Sequence, residues 1–208
     1  MDMKYTILAL FYLMYALIIP LAIASAQTDI DESAAPVRLA TVPIIVNTKT
    51  RVSEEGLRHM EYKIANAVHV PLNDTLKWVD YIPAYESNAA FKEVRQEVTG
   101  NRKKIKFKEL MKPLANKLNA DIVICTVIHH CKQYTIMTFS WDHNLHLVST
   151  ASVEMIIYDS RTDEIKNKKT SRFYNGDYDQ RGTCEFLALE CIDILIEELQ
   201  PRNKLTRY

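Results

Sequence analysis

Two hydrophobic periods divide this chain, a helical one over roughly its first half and a strand-like one after it. The run Val42, Pro43, Ile44, Ile45, Val46 is short, apolar and β-branched, which predicts a strand. Ser53 followed by Glu54 and Glu55 predicts a helix start. A serine oxygen there accepts a first-turn amide, and carboxylates favour the positive end of the helix dipole. Leu57, Met60, Ile64, Ala67 and Val68 then recur at helical spacing up to the stop at Pro71. Residues 78–82 predict a second short strand, and residues 87–98 a helix ended by Gly100. A third helix is expected over 107–118, bent where Pro113 removes a backbone donor and closed by Asn119 in a left-handed cap.

From Asp121 the pattern becomes long β segments over 122–137, 145–158 and 165–174, which predicts an antiparallel meander. The first is apolar on both faces near its start, with Val123, Cys125 and Val127 against Ile122, Ile124 and Ile128, so it belongs at the centre of the sheet. The last carries Lys166, Lys168, Lys169 and Arg172, the charges that guard a sheet edge. Residues 183–199 read as an amphipathic helix with Cys184, Ala188, Cys191, Leu195 and Leu199 on one stripe. The fold class expected is α+β, a mixed sheet ending in a three-strand meander with helices packed on it. One domain over 41–200 is expected, preceded by a flexible linker over 27–40 and followed by a tail over 201–208.

Three stretches carry a family resemblance. They are Pro43, Ile44, Ile45 and Val46 at the opening of the fold, Leu114-Ala115-Asn116-Lys117-Leu118-Asn119-Ala120-Asp121 leading into a strand, and residues 153–165 with the turn Asp159-Ser160-Arg161-Thr162-Asp163-Glu164. Together with the element order, they make residues 42–200 resemble a bacterial envelope family. Its members include the curli secretion channel subunit and penicillin-binding-protein activator lipoproteins, and the Tol-system periplasmic protein has a similar N-terminal domain. Asp163 stands where the turn usually has glycine. The resemblance implies a non-enzymatic scaffold or adaptor that works through protein contacts.

The N-terminus adds a location. After Asp2 and Lys4 comes an uncharged run over residues 5–19, then Pro20 and the small residues Ala24 and Ala26 in an Ala-x-Ala pattern. This is the three-part layout of an export signal, with cleavage expected before Gln27. Pro20 breaks the helix and leaves the cleavage segment extended. The competing reading keeps this segment as a span of about 20 residues, which would make it the only membrane contact. Both readings place the remainder outside the cytoplasm. No cysteine lies near residue 26 to accept a lipid.

Lys plus Arg and Asp plus Glu number 26 each among the 208 residues, so no net field gathers polyanions and nucleic acid is not an expected partner. The four glycines, Gly56, Gly100, Gly176 and Gly182, stand too far apart for a phosphate-cradling loop. No cofactor is expected.

His129, Cys131, His143 and His146 are the candidate metal ligands, since a hairpin could bring the strand end and the following turn together. Simple alternation sends His129 and Cys131 to one face and His130 to the other, and structural zinc normally pairs its ligands more closely, so no metal is expected. A nucleophilic Cys131 with a histidine base lacks an orienting acid in the sequence pattern, so no catalytic residues are assigned. Among Cys125, Cys131, Cys184 and Cys191, neither local pair can bridge. Six strand residues span roughly 20 Å and the helical pair is two turns apart. Strand-to-helix disulfides and small buried thiols remain alternatives.

The dense basic run Arg102, Lys103, Lys104, Lys106 and Lys108 is the candidate interaction patch. It suits an envelope protein or an anionic envelope polymer, against the plainer reading of a solvated helix start. The function expected is an exported, non-catalytic envelope interaction or assembly module of undefined oligomeric state. A ligand- or metal-binding domain and an unrecognised hydrolase are the rivals.

Overall fold

The computed structural model describes residues 36–47, 52–70, 79–100, 106–137 and 145–205. The export signal, Gln27, Arg102, Lys103, Lys104 and His143 therefore lie outside the described residues.

Strand β1 (Val37–Val46), helix α1 (Glu54–Val68), strand β2 (Val79–Ile82) and helices α2 (Ala84–Thr99) and α3 (Lys108–Leu118) come first. Strands β3 (Ile122–Met137), β4 (Leu145–Asp159) and β5 (Glu164–Asp177) and helix α4 (Cys184–Leu199) follow. The sheet order is β2-β1-β3-β4-β5. β1 is parallel to both β2 and β3, whereas β3, β4 and β5 form the antiparallel meander. The central place of β3 and the edge place of β5 agree with the two-sided apolar run and the lysine-rich strand.

Pleating sends alternate side chains to opposite faces, and each face meets its own pair of helices. On one face Ile122, Ile124, Val153, Met155 and Ile157 pack with Met60 and Ile64 of α1 and with Leu187, Ala188, Cys191, Ile192 and Leu195 of α4. On the other, Val123, Cys125, Val127 and Ile156 pack with Phe91 and Val94 of α2 and with Leu110, Met111 and Leu114 of α3. The result is three layers.

Caps follow the chemistry expected of them. The Ser53 hydroxyl accepts the Gly56 amide at 3.0 Å, and Thr183 Oγ1 accepts that of Phe186. Asn119 adopts φ 48°, where its short polar side chain tolerates the left-handed cap.

Three boundaries differ from the sequence reading. β1 begins at Val37 and not Val42, so the linker expected over 27–40 overlaps the strand: Val37, Leu39 and Ala40 are buried. Arg38 masks the alternation, and its charge is accommodated by Asp80 and the Asn119 carbonyl. α2 starts at Ala84 because Pro83, with its fixed φ, sits at the N-cap position. Where a tail was expected from residue 201, Pro201–Lys204 forms a 3-10 turn and Leu205 is buried in the α4-side core.

Candidate functional site

β3 is covered on both faces only in its first half. Its burial falls from complete at residues 122–128 to exposed at residues 132–137. β1 ends beside Ile128, to whose carbonyl the Asn47 amide donates at 3.1 Å. Beyond that point β3 pairs with β4 alone among the described strands, through Met137 opposite Leu145. Among the described residues, the outer half of the central strand is thus an edge on its β1 side.

A bulge lies where the two halves meet. The β3–β4 register steps from Ile128 opposite Val153 to His130 opposite Ser152, leaving His129 as the extra residue. An extra residue reverses the facing of all that follows it. Cys131 therefore packs into the α4-side core, while His129 and His130 both turn to the opposite face. The expected alternation, with His129 and Cys131 together, is overturned.

On that opposite face His129 Nε2 lies 2.8 Å from Glu154 Oε2, and Glu154 Oε1 accepts from Asn167 at 3.0 Å. Glu154 is an orienting acid the sequence did not reveal. It brings no nucleophile with it, because Cys131 is across the sheet and the Ser152 hydroxyl bonds Ser171 and the Thr170 carbonyl. Partial burial, with Lys169 and Lys132 nearby, holds the His130 imidazole below its ordinary pKa. His146 sits at the far end of β4, 2.5 Å from Asn175 Oδ1. His129, Cys131 and His146 are thus not brought together.

The same outer face exposes apolar side chains. Tyr134 opposes Val148 across β3 and β4, and Phe173 of β5 opposes Thr150, one step along. Tyr134 is 59% exposed and Phe173 67%, with Ile136 also exposed, while the exposed Leu145, opposite Met137, lies on the α4 side.

A cavity of about 830 Å³ opens between this part of β3 and the start of α4, lined by Cys131, Gln133, Tyr134, Thr183, Cys184 and Glu185 among others. Its helical wall is held from several directions. Gln133 Oε1 accepts the Cys184 amide at 3.1 Å, and Glu185 accepts both the amide and the hydroxyl of Ser53, at 2.6 and 2.9 Å. Gly182 lies under the Tyr174 ring so closely that a Cβ there would come within 2.4 Å of it. The buried thiols of Cys131 and Cys184 both line the cavity. Of the basic run, Lys106 and Lys108 are exposed at the start of α3.

No family model and no curated protein matches this chain. Solved structures do. The PelC dodecamer from Paraburkholderia phytofirmans is 15% identical, covers 83% of this chain and 90% of its own, and has a TM-score of 0.41. Hypothetical protein CT253 from Chlamydia trachomatis is 13% identical, covering 80% of this chain and 96% of its own at 0.44. The LpoB C-terminal domain from Salmonella enterica is 11% identical, covering 74% and 93% at 0.33. Lipoprotein GNA1162 from Neisseria meningitidis is 15% identical, covering 79% of this chain and 99% of its own at 0.35.

Proposed function

We propose that this chain is an exported, non-catalytic envelope module, and that it works by accepting an extended segment of a protein partner along the free edge of β3. The carrying observation is that, among the described residues, no strand pairs with the outer half of β3 on its β1 side. A strand edge offers a row of backbone donors and acceptors and templates another strand unless something blunts it. β5, the edge formed by strand order, has Lys166, Lys168, Lys169 and Arg172 along it; residues 130–137 have Lys132 alone. Strand addition draws affinity from main-chain hydrogen bonds and specificity from alternate side-chain positions. Tyr134 and Ile136 supply such positions on one face, beside Phe173. The export reading rests on the sequence of residues 1–26.

Photo-crosslinking in intact cells tests this reading. A photoreactive residue at Tyr134 or Ile136 is expected to capture an envelope protein, and one at Tyr62, exposed on α1, is not. Equal capture at all three positions, or none at 134 and 136, would overturn it. Self-capture would replace the partner by a second copy of the chain.

A further inference from the structure

Of the four cysteines in the core, two line one cavity. Cys125 packs on the α2 and α3 side of the sheet, so the sheet separates it from both cysteines of α4. Cys191 stands two turns along α4 from Cys184, about 10 Å by helix rise, and packs against the Arg172 backbone of β5. Cys131 and Cys184 belong to one core cluster and line the same cavity between β3 and the start of α4, where Gln133, two residues on from Cys131 along the same face, accepts the Cys184 amide at 3.1 Å. The bulge at His129 turns Cys131 to this face, and the Gln133 bond to the Cys184 amide sets the helix start over it.

The two sulfurs differ chemically. The Cys131 thiol donates to Cys184, whose own pKa is lowered first by that bond. Cys184 also opens a helix, whose positive dipole end favours a thiolate. Cys131 is pushed up by the same bond and by burial. Each residue is almost fully buried, at 3% and 5% exposure, yet both line the cavity at the β3 edge.

We propose that Cys131 and Cys184 are a redox pair that closes to a disulfide strapping the start of α4 to the outer half of β3. The oxidant is a disulfide of the exchanging class, such as oxidised glutathione or an envelope dithiol oxidase. The Cys184 thiolate attacks one sulfur of that disulfide and expels the first thiolate. The deprotonated Cys131 then attacks Cys184 Sγ and expels the second. One disulfide forms in the protein and one is lost from the oxidant, and two protons and two electrons pass to the two departing thiols. The strap closes the loop that carries the β3 end, β4 and β5, so the redox poise of the compartment fixes the geometry of the edge. The proposal depends on the export reading only for where oxidation happens in the cell.

Purified full-length protein in glutathione buffers of graded redox poise tests the pairing without reference to export. Mapping after alkylation is expected to give a protein lighter by two hydrogens, with one linked peptide joining Cys131 to Cys184 and with Cys125 and Cys191 still thiols. In the Cys131→Ser variant the reaction should stop with one glutathionyl group on Cys184. Reducing the wild-type disulfide should lower the melting temperature by roughly 5 to 15 °C, the shift for a cross-link of this kind in a chain of this size. A linked peptide containing Cys125 or Cys191, or four free thiols in the most oxidising buffer, would overturn the proposal. Neither result depends on the variant folding. Export is tested separately by the N-terminus of the mature protein.

Discussion

The Arg161 guanidinium closes on the Asp159 carboxylate through both Nε and Nη2, at 2.9 and 2.8 Å, and its Nη2 also donates to the Lys204 carbonyl at 3.0 Å. Burial alone would raise the Asp159 pKa, but the Arg161 hydrogen bonds outweigh it and hold the carboxyl below its usual value. Replacing Arg161 by Ala leaves a carboxylate that is only 4% exposed without its partner. Because Arg161 itself is more than a third exposed, we expect a loss of about 1–3 kcal/mol, measurable by urea unfolding. A carboxyl with a depressed folded pKa stabilises the fold above its unfolded pKa of about 3.9, and that stability drains away as pH falls through the folded value. The wild type and Arg161→Ala curves should therefore converge in acid. Parallel curves would remove the ion pair from the account.

The neighbouring turn places Asp163 at φ 54°, the backbone conformation glycine adopts most readily. Its carboxylate accepts from the Tyr158 hydroxyl at 2.8 Å and from Lys112 at 2.7 Å, which offsets the backbone cost. Asp163→Ala keeps that cost and loses both bonds, so it should destabilise by about 1–2 kcal/mol. Asp163→Gly relieves the cost and should lie within roughly 0.5 kcal/mol of wild type. Thermal unfolding ranks the two variants, and Ala at or above Gly would disprove the compensation.

Tyr158 titrates with the same network. Burial pushes its phenol up to about 12, with the bond to Asp163 adding to the effect. A phenol held neutral in the fold contributes stability below its unfolded pKa of about 10, lost as pH rises through the folded value. Tyr158→Phe should remove the last tyrosinate transition in an ultraviolet titration. A change at ordinary tyrosine pH instead would contradict it.

Thr126 lies in β3 with its hydroxyl buried and lacking a hydrogen-bond partner among the described residues. Thr126→Val exchanges that hydroxyl for a methyl in a strand that favours β-branching, and a gain of about 1 kcal/mol is expected in chemical denaturation. A loss would reveal a partner for the hydroxyl.

The element order was legible because its signals are local. Ser53 and Asn119 each announced a cap from their own chemistry, and the two-sided apolar run of residues 122–128 announced a central strand. What escaped the sequence depends on contacts between distant segments. Arg38 interrupts the buried Val37 and Leu39, and only its bond to Asp80, forty-two residues away, makes the strand start there sensible. Glu154 and His129 became a pair, and Cys131 and Cys184 met, through strand register, which a single chain does not display. The bulge has no glycine to mark it.

The basic run keeps its proposed role as a second patch, for an anionic envelope polymer or protein. Changing Lys103, Lys104 and Lys106 together to Glu should leave the melting temperature nearly unchanged and weaken capture of such a partner, most strongly at low salt. A pull-down at two ionic strengths checks it, and unfolding of the variant or full retention of the partner at low salt would assign the segment a structural role.

The mature protein is expected to begin at Gln27. Intact mass of the exported form measures this, and a mass that still includes residues 1–26 would make that segment an anchor.

The unpaired residue at His129 makes the count of amino acids before Cys131 as important as their identity. Because His129 and His130 already share one face, deleting His129 would restore plain alternation and leave every later side chain of β3 facing as it does now. Cys131 would stay opposite Ala151 against α4, and the loss would be the imidazole that meets Glu154; one more residue between His130 and Cys131 would instead turn Cys131 and Gln133 away from α4. Natural variants should accordingly tolerate loss of residue 129 better than an insertion between His130 and Cys131.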